Sequence, residues 1–225
     1  MEQKNQYCSV CLGNINSLTE DTESLIFSLP FGDTEKSRLL SIKNPESQKS
    51  SLCALLCLEE ALAKRGITKD ICDLTITRDK NGKPHFSTLP LFFSISHSRS
   101  VCAAALCNTP VGIDVEFIDT TRDIKAISKR FFSLAEHERV CASNLPSDTF
   151  YAFWTKKEAF AKILGKGLSS ICSLDLPSGD EYSFEKYLLE LKEQRFYLSI
   201  CLDDDRYLSN IEILKYQTSI SLSKI

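Results

Sequence analysis

The segment VGIDVEF, residues 111–117, narrows the possible folds more than any other stretch of this chain. Val111, Ile113, Val115 and Phe117 alternate with Gly112, Asp114 and Glu116, the period-two pattern of a strand with one apolar face. On such a strand Asp114 and Glu116 share the opposite face, with Cα atoms roughly 6.5–7 Å apart. Carboxylates that close repel one another unless a proton or a cation compensates. The bland reading is a solvated edge strand carrying two ordinary acids; the functional one is a pair that shares an ion such as Mg²⁺. Asn108, Thr109 and Pro110 form a polar break just before the strand, where the chain is expected to divide into lobes 1–108 and 109–225.

Asn44 and Pro45 read as the cap and first turn of a helix in which Leu52, Leu55, Leu56 and Leu62 recur at helical spacing until Gly66. LTITRD (74–79), Asn81-Gly82 and the run through Phe86 read as a hairpin with positive φ at both turn positions, and the strands LFFSIS and VCAAALC follow. Beyond Arg122 the pattern is helical again. Ser133 and Glu136 make a capping box, and Pro146 opens a helix that runs through FYAFWTKKEAFAKIL to a stop at Gly165. YSFEKYLLEL, RFYLSICL and NIEILKY read mainly as strands, with 186–192 equally compatible with helix. Each half therefore combines a long helix with several strands, an α+β fold of two similar lobes.

Composition excludes some functions. With 27 Lys+Arg against 30 Asp+Glu the net charge is −3, which lacks the electrostatic footprint of a general nucleic-acid binder. No apolar run approaches the roughly 18 residues of a membrane span, and the first residues show no basic segment followed by an apolar one, so a cytoplasmic location is expected. In that compartment the ten cysteines are expected to be reduced and mostly buried. Cys8 and Cys11 form a CxxC with no second pair at zinc-ribbon spacing, and Cys53 and Cys57 fit the core face of the first helix.

The second long helix carries the other candidate residues. Glu158 and Lys162 are neighbours on one side, flanked by Trp154, while Phe153, Phe160 and Leu164 point to the other. Spacing alone also fits a surface salt bridge worth about 0.3 kcal/mol. Lys157 falls inside an apolar arc, which costs desolvation unless its head escapes to water or meets an anion. SISHS (94–98) offers hydroxyls and an imidazole to phosphate oxygens, or else is a plain strand with a core histidine, since alternation puts His97 with Phe93 and Ile95. It lacks the glycine-flanked elbow of a serine nucleophile. Lys83, between the Asn-Gly turn and Pro84, is an anion contact or a solvated turn lysine.

In order and spacing, GKP (82–84), SISHS (94–98), VGIDVE (111–116), RFFS followed by Glu136 (130–136) and WTKKEAFAKILGKGL (154–168) resemble the 4′-phosphopantetheinyl transferase family in its larger, two-lobed form. Similarity covers about residues 80–170, with a weaker echo in the helix after Lys49. The resemblance implies two lobes related by pseudo-twofold symmetry, each a long helix on a small, mostly antiparallel sheet. It also implies transfer of the phosphopantetheine arm of coenzyme A to a serine of an acyl or peptidyl carrier protein, releasing adenosine 3′,5′-bisphosphate, with Mg²⁺ required.

Asp114, Glu116 and Glu158 then become the metal carboxylates, with Glu158 also the candidate base and Lys162 the contact to the pyrophosphate. Lys83, Ser96 and His97 match positions that hold the 3′-phosphate, with Lys49 and Ser50 beside them, although relatives commonly carry arginine where Lys49 stands. Lys157 is a phosphate or structural contact. A two-lobed chain contains both sides of the cleft, so a monomer is expected, and Lys125, Lys129 and Arg130 are candidates for attracting an acidic carrier. The alternatives are a catalytically silent coenzyme A or carrier-binding module on the same scaffold, and a Mg²⁺-dependent nucleotide hydrolase, for which the G-x-x-x-x-G-K-[ST] loop is missing.

Overall fold

Asn44 starts the helix α3 (Pro45–Lys64) by accepting the Ser47 N–H, with Pro45 in the first turn, where its missing donor costs nothing. The computed structural model describes residues 6–70, 73–166, 176–177 and 182–225. Two shorter helices, α1 (Thr22–Ser28) and α2 (Asp33–Leu40), precede α3. The face of α3 that carries Leu52, Leu55 and Leu62 packs on a four-stranded sheet of order β4-β5-β1-β9. Its strands are β1 (Cys8–Asn14), β4 (Phe92–Ser98), β5 (Val101–Cys107) and β9 (Ile211–Tyr216). β9 lies within 109–225 yet pairs in parallel with β1, so the C-terminal part of the chain re-enters the first sheet; the other pairs of that sheet are antiparallel.

The second sheet, of order β10-β7-β8-β6, is antiparallel throughout. It comprises β6 (Val111–Phe117), β7 (Ser183–Leu191), β8 (Gln194–Leu202) and β10 (Ser221–Lys224). Helix α6 (Pro146–Ile163) lies on β6 and β8, with α4 (Ile124–Phe131) and α5 (Leu134–Ala142) beside it. Val10, Leu12, Ala103 and Ala105 of the first sheet meet Ile113, Val115, Leu198 and Ile200 of the second in one buried cluster. The layers therefore run helix, sheet, sheet, helix, the mixed α+β class that the chain's alternation implies. Among the described residues no helix is long and apolar enough to cross a membrane.

Three local readings are settled or corrected. Residues 186–192 fall mostly in β7, where Glu185, Tyr187, Leu189 and Leu191 are buried in alternation, so the helical option drops out. The hairpin between β2 (Ile76–Arg78) and β3 (Pro84–Phe86) has positive φ at Gly82 but not at Asn81. Its loop turns instead on Gly82 N–H donating to Asp79 O at 2.9 Å and Asp79 N–H to Lys83 O at 3.0 Å, the longer loop type that needs one left-handed glycine. Cys53 of α3 and Cys102 of β5 bring their sulfurs into contact where the helix lies directly on that strand, while the other described cysteines are free thiols, all but Cys141 buried. Cys8 and Cys11, three apart on β1, face opposite sides of the sheet and cannot act as a pair.

Gly112 sets how closely α6 approaches β6. A Cβ at this position would stand 1.9 Å from the Ala159 carbonyl oxygen, and that oxygen belongs to backbone that has no room to give. The helix that carries Glu158 and Lys162 therefore rests directly on the strand that carries Asp114 and Glu116. Gly112→Ala is expected to cost at least about 2 kcal/mol, read as a lower urea midpoint, because overpacking here displaces a helix backbone. An unchanged midpoint would show that α6 does not depend on this contact.

Candidate active site

β4 and β6 are edge strands of different sheets, and they run side by side where the two sheets meet. The N–H groups of Ile113, Val115 and Phe117 point away from β8 and need other acceptors. They donate to the hydroxyls of Ser94 at 3.1 Å, Ser96 at 3.3 Å and Ser98 at 3.0 Å. Each of the last two hydroxyls then gives its own proton to a carboxylate: Ser96 to Asp114 Oδ1 at 2.8 Å and Ser98 to Glu116 Oε2 at 2.9 Å. The serines of SISHS thus join the sheets and orient both acids. Ser96 is only 7% exposed and is spent in this seam, so it does not face a cavity.

The acid-bearing face of β6 meets α6. Lys162 Nζ donates to Ile113 O at 2.8 Å, to Asp114 Oδ1 at 2.9 Å and to Ile95 O at 3.3 Å, bridging both strands from the helix. Glu158 is buried beside the same acids. Burial, then the charge of Asp114, pushes Glu158 up to about 8, with Lys162 opposing and Glu116 adding to the rise. Burial, then Asp114, likewise pushes Glu116 up to about 7 against the Ser98 hydrogen bond and Lys162. Lys162, with Arg122 acting on Glu116, does not offset the burial and mutual repulsion of these carboxyls.

The chemistry of this donor set suits a divalent cation, although among the described residues the three carboxyls do not close to within 4.8 Å of one another. Asp114 Oδ1 is occupied by Ser96 and Lys162, whereas Oδ2 is buried without a hydrogen-bond partner, a state it shares among the described residues only with the Tyr151 hydroxyl. Asp114 Oδ2 is thus unsolvated and unpartnered near two carboxyls held above their ordinary range, and a hard cation there would relieve both the lost solvation and the repulsion. All three groups are oxygen donors of the kind Mg²⁺ takes.

The residues expected to hold phosphate fall into separate places. His97, Lys49 and Ser50 line one open cavity of about 750 Å³, together with Gln48, Asn16 and Arg99. Alternation had placed His97 with Phe93 and Ile95, but β4 carries it past the core edge, so its ring opens on the cavity. Desolvation and then Lys162 lower its pKa. Lys83 lines a different cavity, of about 200 Å³, with Lys162 and Lys166. Its ammonium donates to Ile163 O at 3.0 Å at the end of α6, and burial lowers its pKa against the pull of Asp79. Lys157 is 1% exposed and pairs with Glu136 Oε2 at 3.0 Å, while Glu136 also completes the capping box of α5 with Ser133. It therefore ties α5 to α6 and does not reach either cavity.

Arg99 was not assigned from sequence. It occupies the turn after β4 with φ 48°, its guanidinium stacked 3.6 Å from the Phe117 ring and 3.3 Å from Asp119, at the rim of the His97 cavity. Ser94 and Ser98 were missed as seam residues. The signal was their period-two spacing opposite the equally spaced acids of GIDVE.

The family model of the 4′-phosphopantetheinyl transferase superfamily matches residues 110–211, the stretch that holds Asp114, Glu116, Glu158 and Lys162. A 4′-phosphopantetheinyl transferase named Sfp from Bacillus subtilis is 32% identical over 155 residues, covering 62% of this chain and 68% of the relative. The chain belongs to this superfamily. Another 4′-phosphopantetheinyl transferase from Bacillus subtilis is 33% identical over 153 residues, covering 60% of this chain and 66% of the relative. The transferase HetI from Nostoc sp. is 28% identical over 170 residues, covering 61% and 71%. The matches thus span about two thirds of each relative's length.

The crowded carboxyls of this phosphopantetheinyl transferase homologue make its stability depend on pH. An ordinary glutamate ionises near 4.5, so between there and about 8 the folded chain keeps protons that the unfolded chain has released. The contribution of these two groups to stability is highest at the acid end of that window and is lost as pH rises through it. Glu158→Gln cannot ionise, so the metal-free variant is expected to gain stability relative to the parent as pH rises from about 5 to about 8.5. Parallel urea midpoints for the two proteins across that range would contradict the assignment.

Proposed function

We propose that this chain transfers the 4′-phosphopantetheine arm of coenzyme A to a serine hydroxyl of an acyl or peptidyl carrier protein, with Mg²⁺ held by Asp114, Glu116 and Glu158. The observation that carries this reading is the orphaned Asp114 Oδ2 beside Lys162, with Glu116 and Glu158 near enough for the Asp114 charge to raise both, in a chain of this superfamily. A cation bound there would neutralise charge that develops on the leaving phosphate.

The chain supplies no nucleophile of its own. The carrier serine loses its proton to Glu158, its oxygen forms a bond to the phosphorus that bears pantetheine, and the pyrophosphate P–O bond breaks to release adenosine 3′,5′-bisphosphate. Lys162, held against Asp114, places a positive charge where the departing oxygen gains negative charge. Lys49, Ser50 and His97 supply phosphate contacts from the first sheet's side of the site, and Lys83 supplies one from its own cavity. Arg130 and the exposed Lys125 and Lys129 of α4 favour an acidic carrier. Both edge strands come from a single chain, which supports a monomer.

Intact mass spectrometry of several apo carrier proteins, incubated with this protein, coenzyme A and Mg²⁺, tests the reading. A phosphopantetheine mass increase that disappears with EDTA is expected. Coenzyme A binding with no transfer to any carrier would favour the silent binding module, and bisphosphate release without a carrier would favour hydrolysis. Glu158→Gln is expected to lower the rate at least about 100-fold. Lys162→Ala is expected to lower it about 100- to 1000-fold while coenzyme A binding partly remains. Near-normal turnover by either folded variant would remove that residue from the chemistry.

A further inference from the structure

A second charged depression lies on the flank of α6 turned away from the carboxyls. At 100° per residue, Thr149 and Lys156 stand about 180° and 200° around the helix from Glu158. Both line an open groove of about 700 Å³, which Arg139 and Ser143 of α5 and its exit, Lys186 of β7 and Tyr197 of β8 complete. Lys156 and Lys186 are half-buried, and among the described residues no carboxylate lies within 4.0 Å of either ammonium or of the Arg139 guanidinium. Asp148, the acid in the groove's wall, is committed to Arg195 at 2.7 Å.

Three cations thus line one groove, and among the described residues none is paired with a carboxylate, although the charge of Glu136 reaches Lys156. Lys156 rests over the Phe184 ring at 4.2 Å, and burial, followed by the charge of Lys186, holds its pKa below the ordinary lysine value. Donors are ready as well. Ser143 Oγ accepts the Leu145 N–H at 3.0 Å and the Thr149 hydroxyl at 2.7 Å, so its own proton has no acceptor among the described residues. Leu145 and Phe153 add apolar wall beside these polar groups.

We propose that this groove binds the phosphate group of a small phosphate monoester, with Arg139, Lys156 and Lys186 meeting the phosphate oxygens and Leu145 and Phe153 meeting the organic part. A guanidinium matches two oxygens of one phosphate, the lysines add point charges, and the Ser143 hydroxyl completes the donor set. A dianion balances two of the three charges, which a single carboxylate does not. The site is distinct from the cavity of Lys49 and His97 and stands independently of the transfer reaction.

Competitive acetylation of the full chain, read lysine by lysine in a peptide digest, tests it. The probes are inorganic phosphate and phenyl phosphate, with chloride at matched ionic strength and exposed Lys215 of β9 as an internal control. Lys156 and Lys186 are expected to be protected together, at a probe concentration at least tenfold below that needed at Lys215, with phenyl phosphate more effective than inorganic phosphate. Arg139→Gln, at an exposed position that leaves the core intact, is expected to raise the half-protecting concentration about tenfold. Protection no stronger than at Lys215, equal protection by chloride, or no effect of Arg139→Gln would overturn the proposal. So would protection by an acidic carrier protein and not by either phosphate, which would make the groove a protein-docking surface.

Discussion

The placement of both acids of β6 depends on serine hydroxyls standing between two sheet edges. β6 leaves one row of N–H groups without strand partners, and an open edge of that kind is a hazard for any β structure. Ser94, Ser96 and Ser98 cover it from β4 with side chains in place of backbone. A direct backbone pairing would have merged the sheets and left no room for carboxylates to be held between them. Because a hydroxyl both accepts and donates, the groups that satisfy the β6 amides also fix Asp114 and Glu116 in one orientation.

Electrostatics and packing pull in opposite directions at this seam. Gly112 lets α6 settle on β6 at backbone contact, which brings Glu158 near buried Asp114 and part-buried Glu116. Lys162 offsets part of the repulsion and links the helix to the carbonyls of both edge strands. What remains is a buried Asp114 Oδ2 without a hydrogen-bond partner, a cost offset by the apolar contact between the two sheets. A cation bound there would offset this repulsion. The buried pair of Lys157 and Glu136 holds α5 against α6 and so supports the helix from its other side.

Much of this was legible in the residues because local patterns and tertiary demands agree. The alternation in VGIDVEF fixed which face carries acids, and the cap at Asn44 and the box at Ser133 and Glu136 marked helix starts that the structure keeps. The rest depended on contacts between distant segments. Nothing local distinguishes a serine that meets phosphate from one that meets a neighbouring strand, so Ser96 was read outward although it faces Asp114. Lys157 looked costly inside an apolar arc until Glu136, 21 positions earlier in the chain, proved to lie 3.0 Å away. The separation of Lys83 from His97 depends on where the end of α6 falls, and the return of β9 to β1 depends on pairing across almost the whole chain.

The most direct measurement is an anomalous difference map from crystals soaked in Mn²⁺, a Mg²⁺ substitute with an anomalous signal. A peak within coordination distance of Asp114 Oδ2, with Glu116 and Glu158 completing the protein ligands, is the expected result. A peak elsewhere, or none at saturating Mn²⁺ while the seam of Ser96 and Ser98 stays intact, would contradict the view that these strands are joined so as to hold a cation.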